Sequence, residues 1–249
     1  MKKPAFYGYL YGVRVLCVSD HVDPLVYSPA IKERFKDVSL VISCGDLPFN
    51  YYDYILSNLN KPLLFVFGNH NLRRLSDYDC RHRPEPEAEP TGYRPKPPGG
   101  GMYISGRVRR IHGVIFAGLG GSMKYNNGLN QFSNRGMYLY LLRLLPGLLW
   151  NRLAHGRFLD VLITHAPPEG IHDCRDRCHR GFRAFIWFMR TFKPAYLIHG
   201  HVHLYGANEL RRTEYQDTVV VNAFDHCVID VEEWNGKVHR KTAPQPGRA

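Results

Sequence analysis

Short apolar runs recur along this chain, and several of them end on Asp, Asn or His. They cover residues 13–18, 38–43, 63–67, 114–117, 159–164, 195–198, 218–221 and 227–231. Each is too short for an ordinary helix and is rich in branched and aromatic residues, which predicts buried strands. Helical spacing separates the first runs, at 28–36 and 52–60, and returns at 135–152 and 181–192. Strands alternating with helices form parallel βαβ units, whereas the last strands follow one another directly. The expectation is an α/β chain with mixed sheets and helices outside.

The composition sets wide limits around that architecture. A chain of 249 residues can bury a core without disulfides or a structural metal. With 44% hydrophobic and 22% charged residues it is not a largely disordered protein. Thirty-three Lys+Arg against 22 Asp+Glu give a charge of +11, which favours anions without specifying which. No apolar run reaches the ~18 residues of a membrane span. Pro4, Gly8, Tyr9, Tyr11 and Arg14 interrupt any signal-peptide core, so a cytoplasmic protein is expected. The six cysteines are read as reduced. Cys174 and Cys178 have no second pair at zinc-finger spacing, which makes a structural zinc the minor reading there. Residues 81–101, rich in Pro and Gly, form an inserted loop within a single domain over 1–240, and 241–249 a flexible tail.

The chemistry collects at the strand ends. The first runs lead into Asp20, into Gly45-Asp46 and into Gly68-Asn69-His70; later ones lead into Thr164-His165 and into Gly200-His201-Val202-His203. In parallel α/β sheets the loops after neighbouring strands converge on one crevice. Carboxylates, an amide oxygen and imidazoles gathered there suit Mn²⁺, Fe or Zn²⁺. A carboxylate bridging two such ions forms a site that clamps a phosphoryl group.

These motifs resemble the calcineurin-like metallophosphoesterase family, whose pattern is D-x-H, G-D, G-N-H-[DE], [GT]-H and G-H-x-H. The resemblance spans roughly residues 13–231. It implies a four-layer αββα sandwich with a dinuclear metal site at the carboxyl ends of the central strands. It further implies that Asp46 bridges two divalent ions, that Asp20 and His203 hold the first, and that Asn69, His165 and His201 hold the second. His70 would contact the phosphate and assist the leaving group. The implied activity is phosphomonoester or phosphodiester hydrolysis, with a metal-bridging hydroxide attacking phosphorus in line.

The chain departs from that pattern at three places. The first-motif histidine falls on Val22, the acid after His70 is replaced by Asn71, and Phe49 stands three residues after Asp46, where many relatives have a carboxylate. In an extended chain His21 points away from the face of Asp20. Asp23 precedes Pro24 and is therefore biased to an extended conformation, and it is the expected substitute ligand. His172, His179 and Arg180, in the loop after His165, are expected to contact substrate, and His199 to be a core histidine.

Three classes of function fit these features. A hydrolase acting on a phosphorylated small molecule or nucleotide is preferred. A metal-binding interaction scaffold with little catalysis is kept in view by Val22 and Asn71. A nuclease is suggested by the charge, but the basic residues are dispersed without interleaved aromatics, which argues against nucleic acid. Apolar residues wrap most of the helix near 137–150, which suggests contact with a second copy or a neighbouring helix and not with a membrane.

Overall fold

The computed structural model describes residues 12–70, 72–79, 100–206 and 209–231. The first sheet grows by parallel pairing: β1 (Val13–Ser19), β2 (Leu40–Ser43) and β3 (Leu63–Phe65) lie side by side, connected through α1 (Ile31–Arg34) and α2 (Phe49–Leu59). After α3 (Leu75–Tyr78), β4 (Gly101–Tyr103) extends the sheet beyond β3. Gly101, the last residue of the expected loop, therefore begins a strand; residues 81–99, Asn71 and the 241–249 tail lie outside the described residues.

The second sheet starts with the hairpin β5 (Val108–Ile111) and β6 (Val114–Leu119). A two-stranded ribbon follows, β7 (Ser122–Met123) with β8 (Gln131–Phe132), and then α4 (Asn134–Leu141) and α5 (Leu145–His155). β9 (Val161–Thr164), α6 (Arg183–Phe192) and β10 (Tyr196–His199) add parallel strands, and β11 (Arg212–Tyr215) and β12 (Thr218–Asn222) complete the order β11-β12-β10-β9-β6-β5. β13 (Asp225–Val231) then returns to the first sheet, antiparallel to β1.

Side-chain alternation assigns each strand face to a different core. Val15 and Cys17 of β1 and Leu40 and Ile42 of β2 join Phe116, Val161, Ile163 and Ile198 of the second sheet in one apolar cluster. The intervening Leu16, Val18 and Val41 pack instead with Ile31, Tyr51, Tyr52 and Ile55 from α1 and α2. On the other side, Ile115, Leu162 and Leu197 pack with Met137, Leu148, Phe185 and Phe188 from α4, α5 and α6. The buried positions of α6 (Ala184, Phe185, Phe188, Met189, Phe192) follow helical spacing.

The single helix expected over 135–152 is two helices separated by a 3₁₀ turn at Leu142–Leu144. Pro146 lies in the first turn of α5, where a missing N–H breaks no helical bond. Met137, Tyr140, Leu141, Leu144 and Leu148 face the core, while Leu139, Leu142, Leu149, Trp150 and Leu153 are exposed. Among the described residues no helix is long and apolar enough to cross a membrane.

Candidate metal centre

The carboxyl ends of β1, β2 and β3 in one sheet, and of β9 and β10 in the other, deliver the expected polar residues. At three of these ends the backbone turns through the left-handed region on a non-glycine residue: Asp20 at φ 65, Asp46 at φ 57 and His201 at φ 68. Such residues hold an unfavourable conformation that the surrounding structure must enforce, and they concentrate at functional sites. Two glycines make room for the side chains so placed. A Cβ on Gly68 would overlap Asp46 Oδ1 and His165 Cε1, and one on Gly200 would overlap Ser19 Oγ and Asp20 Oδ2.

Hydrogen bonds hold these strand ends together, both within the first sheet and across to the second. The Asp20 amide donates to the Gly45 carbonyl at 3.2 Å, and Asp20 Oδ2 accepts from the His201 amide at 2.8 Å. His165 is fully buried: its Nδ1 donates to the Cys44 carbonyl at 2.8 Å, and its Nε2 lies 3.2 Å from Asp46 Oδ2 and 3.1 Å from Asn69 Oδ1. Burial alone pushes the His165 pKa down, but the Asp46 charge and hydrogen bond, with Asp20 and the Cys44 carbonyl, outweigh it and hold the pKa up at about 9. Burial likewise raises Asp46, yet His165 and the His70 amide on Oδ1 (2.9 Å) bring it below the usual carboxylate range. Burial pushes Asp20 up and His201 down, the latter to about 3.

Asp46, His165 and His201 each offer one donor atom, all within 4.8 Å of one another. All the acceptors around His165 Nε2 are oxygens, so a proton now sits where a cation could. A carboxylate and two imidazoles, with the Asn69 carbonyl beside them, fit a borderline divalent ion such as Zn²⁺, Mn²⁺ or Fe²⁺. His201 Nε2 donates to the Cys178 carbonyl at 2.6 Å, which leaves Nδ1 as its lone-pair nitrogen.

The other expected residues have surroundings of their own. His203 is exposed, bonded through Nδ1 to Tyr205 Oη at 2.6 Å and stacked on Phe224 at 4.7 Å. His70 is exposed beside Asp46. Asp23 Oδ1 accepts from the Leu25 amide at 2.7 Å and Oδ2 faces His226, so it belongs to neither group of three or more convergent donors among the described residues. His21 pairs with Asp225 at 2.7 Å. His172 is bonded to the buried His199 and to Thr213 and belongs to neither donor group. His179 does approach the centre, its ring 5.1 Å from that of His201, and Arg180 is exposed in the same loop.

Several contributors carry no motif of their own in the sequence. Asn130 donates to the carbonyls of Phe67 (3.2 Å) and Gly68 (2.7 Å), clamping the turn that carries Asn69. Tyr125 Oη accepts from Asn69 Nδ2 at 3.2 Å. The glycine-rich stretch at 120–128, which follows a strand, is the available signal for Tyr125, and Asn130 lies two residues beyond it. Asp225 and His226 reach the 20–23 loop through the β13 register, which pairs Ser19 with Asp225 and Val18 with His226.

The chain matches the model of the calcineurin-like phosphoesterase family over residues 13–205 and belongs to that family. Its members are typically metal-dependent hydrolases of phosphoesters. Among solved structures, TT1561 of Thermus thermophilus aligns at 12% identity and TM-score 0.56, over 86% of this chain and 90% of that one. Another crystal structure aligns at 13% identity and TM-score 0.56, over 88% of this chain and 95% of that one. Vacuolar protein sorting 29 from Cryptosporidium parvum aligns at 14% identity and TM-score 0.37, over 86% and 74%. No curated protein matches. At these identities the likeness to TT1561 concerns the fold.

Proposed function

We propose that the protein is a metal-dependent phosphoester hydrolase acting on a phosphorylated small molecule or nucleotide. The observation that carries this reading is the convergence of Asp46, His165 and His201 from the ends of β2, β9 and β10. In this reading Asp46, Asn69, His165 and His201 would hold one divalent ion, and Asp20 and His203, with Asp46 in common, would hold a second. Such ions, when bound, would supply Lewis acidity, lowering the pKa of a bound water and offsetting charge on phosphoryl oxygens. The three apolar clusters support a four-layer αββα stacking of the described residues within one domain.

The chain's own groups divide the remaining work. The Cys44 carbonyl takes the Nδ1 proton of His165 and so turns Nε2 toward Asp46 and Asn69. The Cys178 carbonyl accepts from Nε2 of His201 and so leaves Nδ1 as its lone-pair nitrogen. The His70 amide orients Asp46 Oδ1, while its exposed ring is free to meet a leaving-group oxygen and give it a proton. Both rings are buried, so the surrounding structure fixes their positions.

One observation favours a second reading, a metal-binding scaffold with little catalysis. Val22, at the family's first-motif histidine, packs partly buried against the apolar cluster of the first sheet. A single experiment separates the two: p-nitrophenyl phosphate and bis-p-nitrophenyl phosphate offered to the purified chain with Mn²⁺, Fe²⁺ or Zn²⁺, and Asp46→Asn alongside. Turnover that Asp46→Asn abolishes supports the hydrolase. Bound metal with no turnover of either ester supports the scaffold.

A further inference from the structure

The loop between β9 and α6 gathers a second set of donors outside the Asp46 group. Cys178 Sγ lies 2.8 Å from Asp176 Oδ1 and 3.4 Å from His179 Nδ1, and His179 Nδ1 lies 3.0 Å from Asp176 Oδ1. Two backbone amides, of Cys178 and His179, each donate to Asp176 Oδ1 at 3.0 Å and fix the carboxylate. Cys174 is held beside the group by its amide on the His179 carbonyl at 3.2 Å. We propose that Asp176, Cys178 and His179 form a separate site for a thiophilic divalent cation, zinc being the best match.

The donor spacing is close to what such an ion requires. Zinc bonds of ~2.3 Å to sulfur and ~2.0–2.2 Å to nitrogen or oxygen place tetrahedral neighbours roughly 3.3–3.6 Å apart. The three pairs here, at 2.8, 3.0 and 3.4 Å, need only to spread by a few tenths of an ångström to about 0.8 Å. The exposed side of the loop leaves the fourth position to water or to Cys174. On binding, Cys178 releases its thiol proton to solvent. His179 moves its ring proton to Nε2 and binds through Nδ1, so that one proton leaves for each ion taken up. A thiolate favours Zn²⁺ over Mn²⁺ or Mg²⁺.

The site abuts the Asp46 centre. The Cys178 carbonyl accepts the His201 Nε2 proton at 2.6 Å, and the His179 ring lies 5.1 Å from that of His201. An ion here therefore pins the loop that sets the tautomer of His201. Cys178 and His179 act as positioning residues for the neighbouring centre. Occupation of the site does not depend on the phosphoesterase reading.

Cobalt distinguishes the two sites, because only this one has sulfur. The full-length chain, kept reduced with a phosphine, is titrated with Co²⁺ and followed by absorption. A thiolate-to-cobalt charge-transfer band saturating at one equivalent is expected. Zn²⁺ abolishes the band, Asp46→Asn keeps it, and Cys178→Ser and Asp176→Asn lose it. No band in the unaltered chain, or a band that survives in Cys178→Ser, overturns the proposal. The Asp46→Asn arm keeps failure here distinct from failure of the hydrolase reading.

Discussion

His172 Nδ1 lies 2.9 Å from His199 Nε2, and a single arrangement of protons satisfies the chain of contacts around the pair. His199 Nδ1 faces the Gly200 carbonyl at 2.9 Å, so it carries a proton and its Nε2 accepts. His172 therefore donates from Nδ1, and its Nε2 accepts from Thr213 Oγ1 at 2.8 Å. A further proton on His199 would set two N–H groups against each other, and one on His172 would force the Thr213 hydroxyl to turn from donor to acceptor. Burial pushes His172 down to about 4, and burial with the neighbouring His172 pushes His199 down to about 3.

That arrangement predicts acid sensitivity with a definite sign. Above the unfolded value of about 6.5 neither state binds the His172 proton, and the group contributes no pH dependence. As pH falls from about 6.5 toward 4, the unfolded chain takes up a proton that the folded chain refuses, so stability declines. The slope is about 1.4 kcal/mol per pH unit for each such proton, and it flattens once folded His172 protonates. Urea denaturation between pH 7.5 and 4.5, with a chelator present throughout, should show a shallower decline for His172→Asn than for the unaltered chain. Parallel declines would remove His172 from this role.

Gly68→Ala tests the close packing at the Asp46 group. Its Cβ would overlap Asp46 Oδ1 and His165 Cε1, so either the carboxylate moves or the turn does. The turn is clamped by Asn130, so the carboxylate is expected to yield. A loss of stability of about 1–3 kcal/mol is expected, together with loss of bound metal. Thermal unfolding and elemental analysis measure the two effects. Unaltered metal content would mean that Asp46 is not constrained through Gly68.

Much of this fold could be read in the sequence wherever burial is complete. β1, β2, β9 and β10 are central strands with apolar faces on both sides, and such strands appear as continuous hydrophobic runs. β5 and β11 leave no such signal because they are edge strands whose residues, Arg109, Arg110, Arg212 and Glu214 among them, are largely exposed. Their conformation comes from pairing with β6 and β12, which no local pattern reports. The same holds at the site. Asp46, His165 and His201 follow parallel strands, so strand ends alone predict that they meet. Asp225 and His226 arrive on an antiparallel return, whose register is a tertiary property. His172 sits beside the expected crevice in sequence, yet the partner it finds is a buried histidine.

His70→Ala should separate binding from leaving-group assistance. The ring is exposed, and the contact that orients Asp46 comes from the backbone amide, which survives the substitution. Metal content is therefore expected to stay unaltered while turnover falls by about 10²–10⁴-fold for alkyl esters. Nitrophenyl esters, whose leaving groups need little proton assistance, should lose much less. An equal loss for both kinds of ester would assign His70 to phosphate positioning alone.

Metal stoichiometry carries the last prediction, which concerns the altered first motif. The donors around His165 are drawn together, whereas the set attributed to the other ion is sparse. Val22 offers no lone pair, His203 is exposed and bonded to Tyr205, and Asp20 Oδ2 is engaged by the His201 amide. Two classes of metal affinity are expected, one tight and one weak. His165→Ala should remove the tight equivalent, and His203→Ala the weak one alone. Asp23→Ala should lower the unfolding temperature, since it deprives the Leu25 amide and the partly buried His226 of their partner, and it should leave the tight equivalent in place. Equilibrium dialysis against Mn²⁺ with elemental analysis reads all three variants. Two ions held with equal affinity in the unaltered chain would show that another group makes good the loss at Val22.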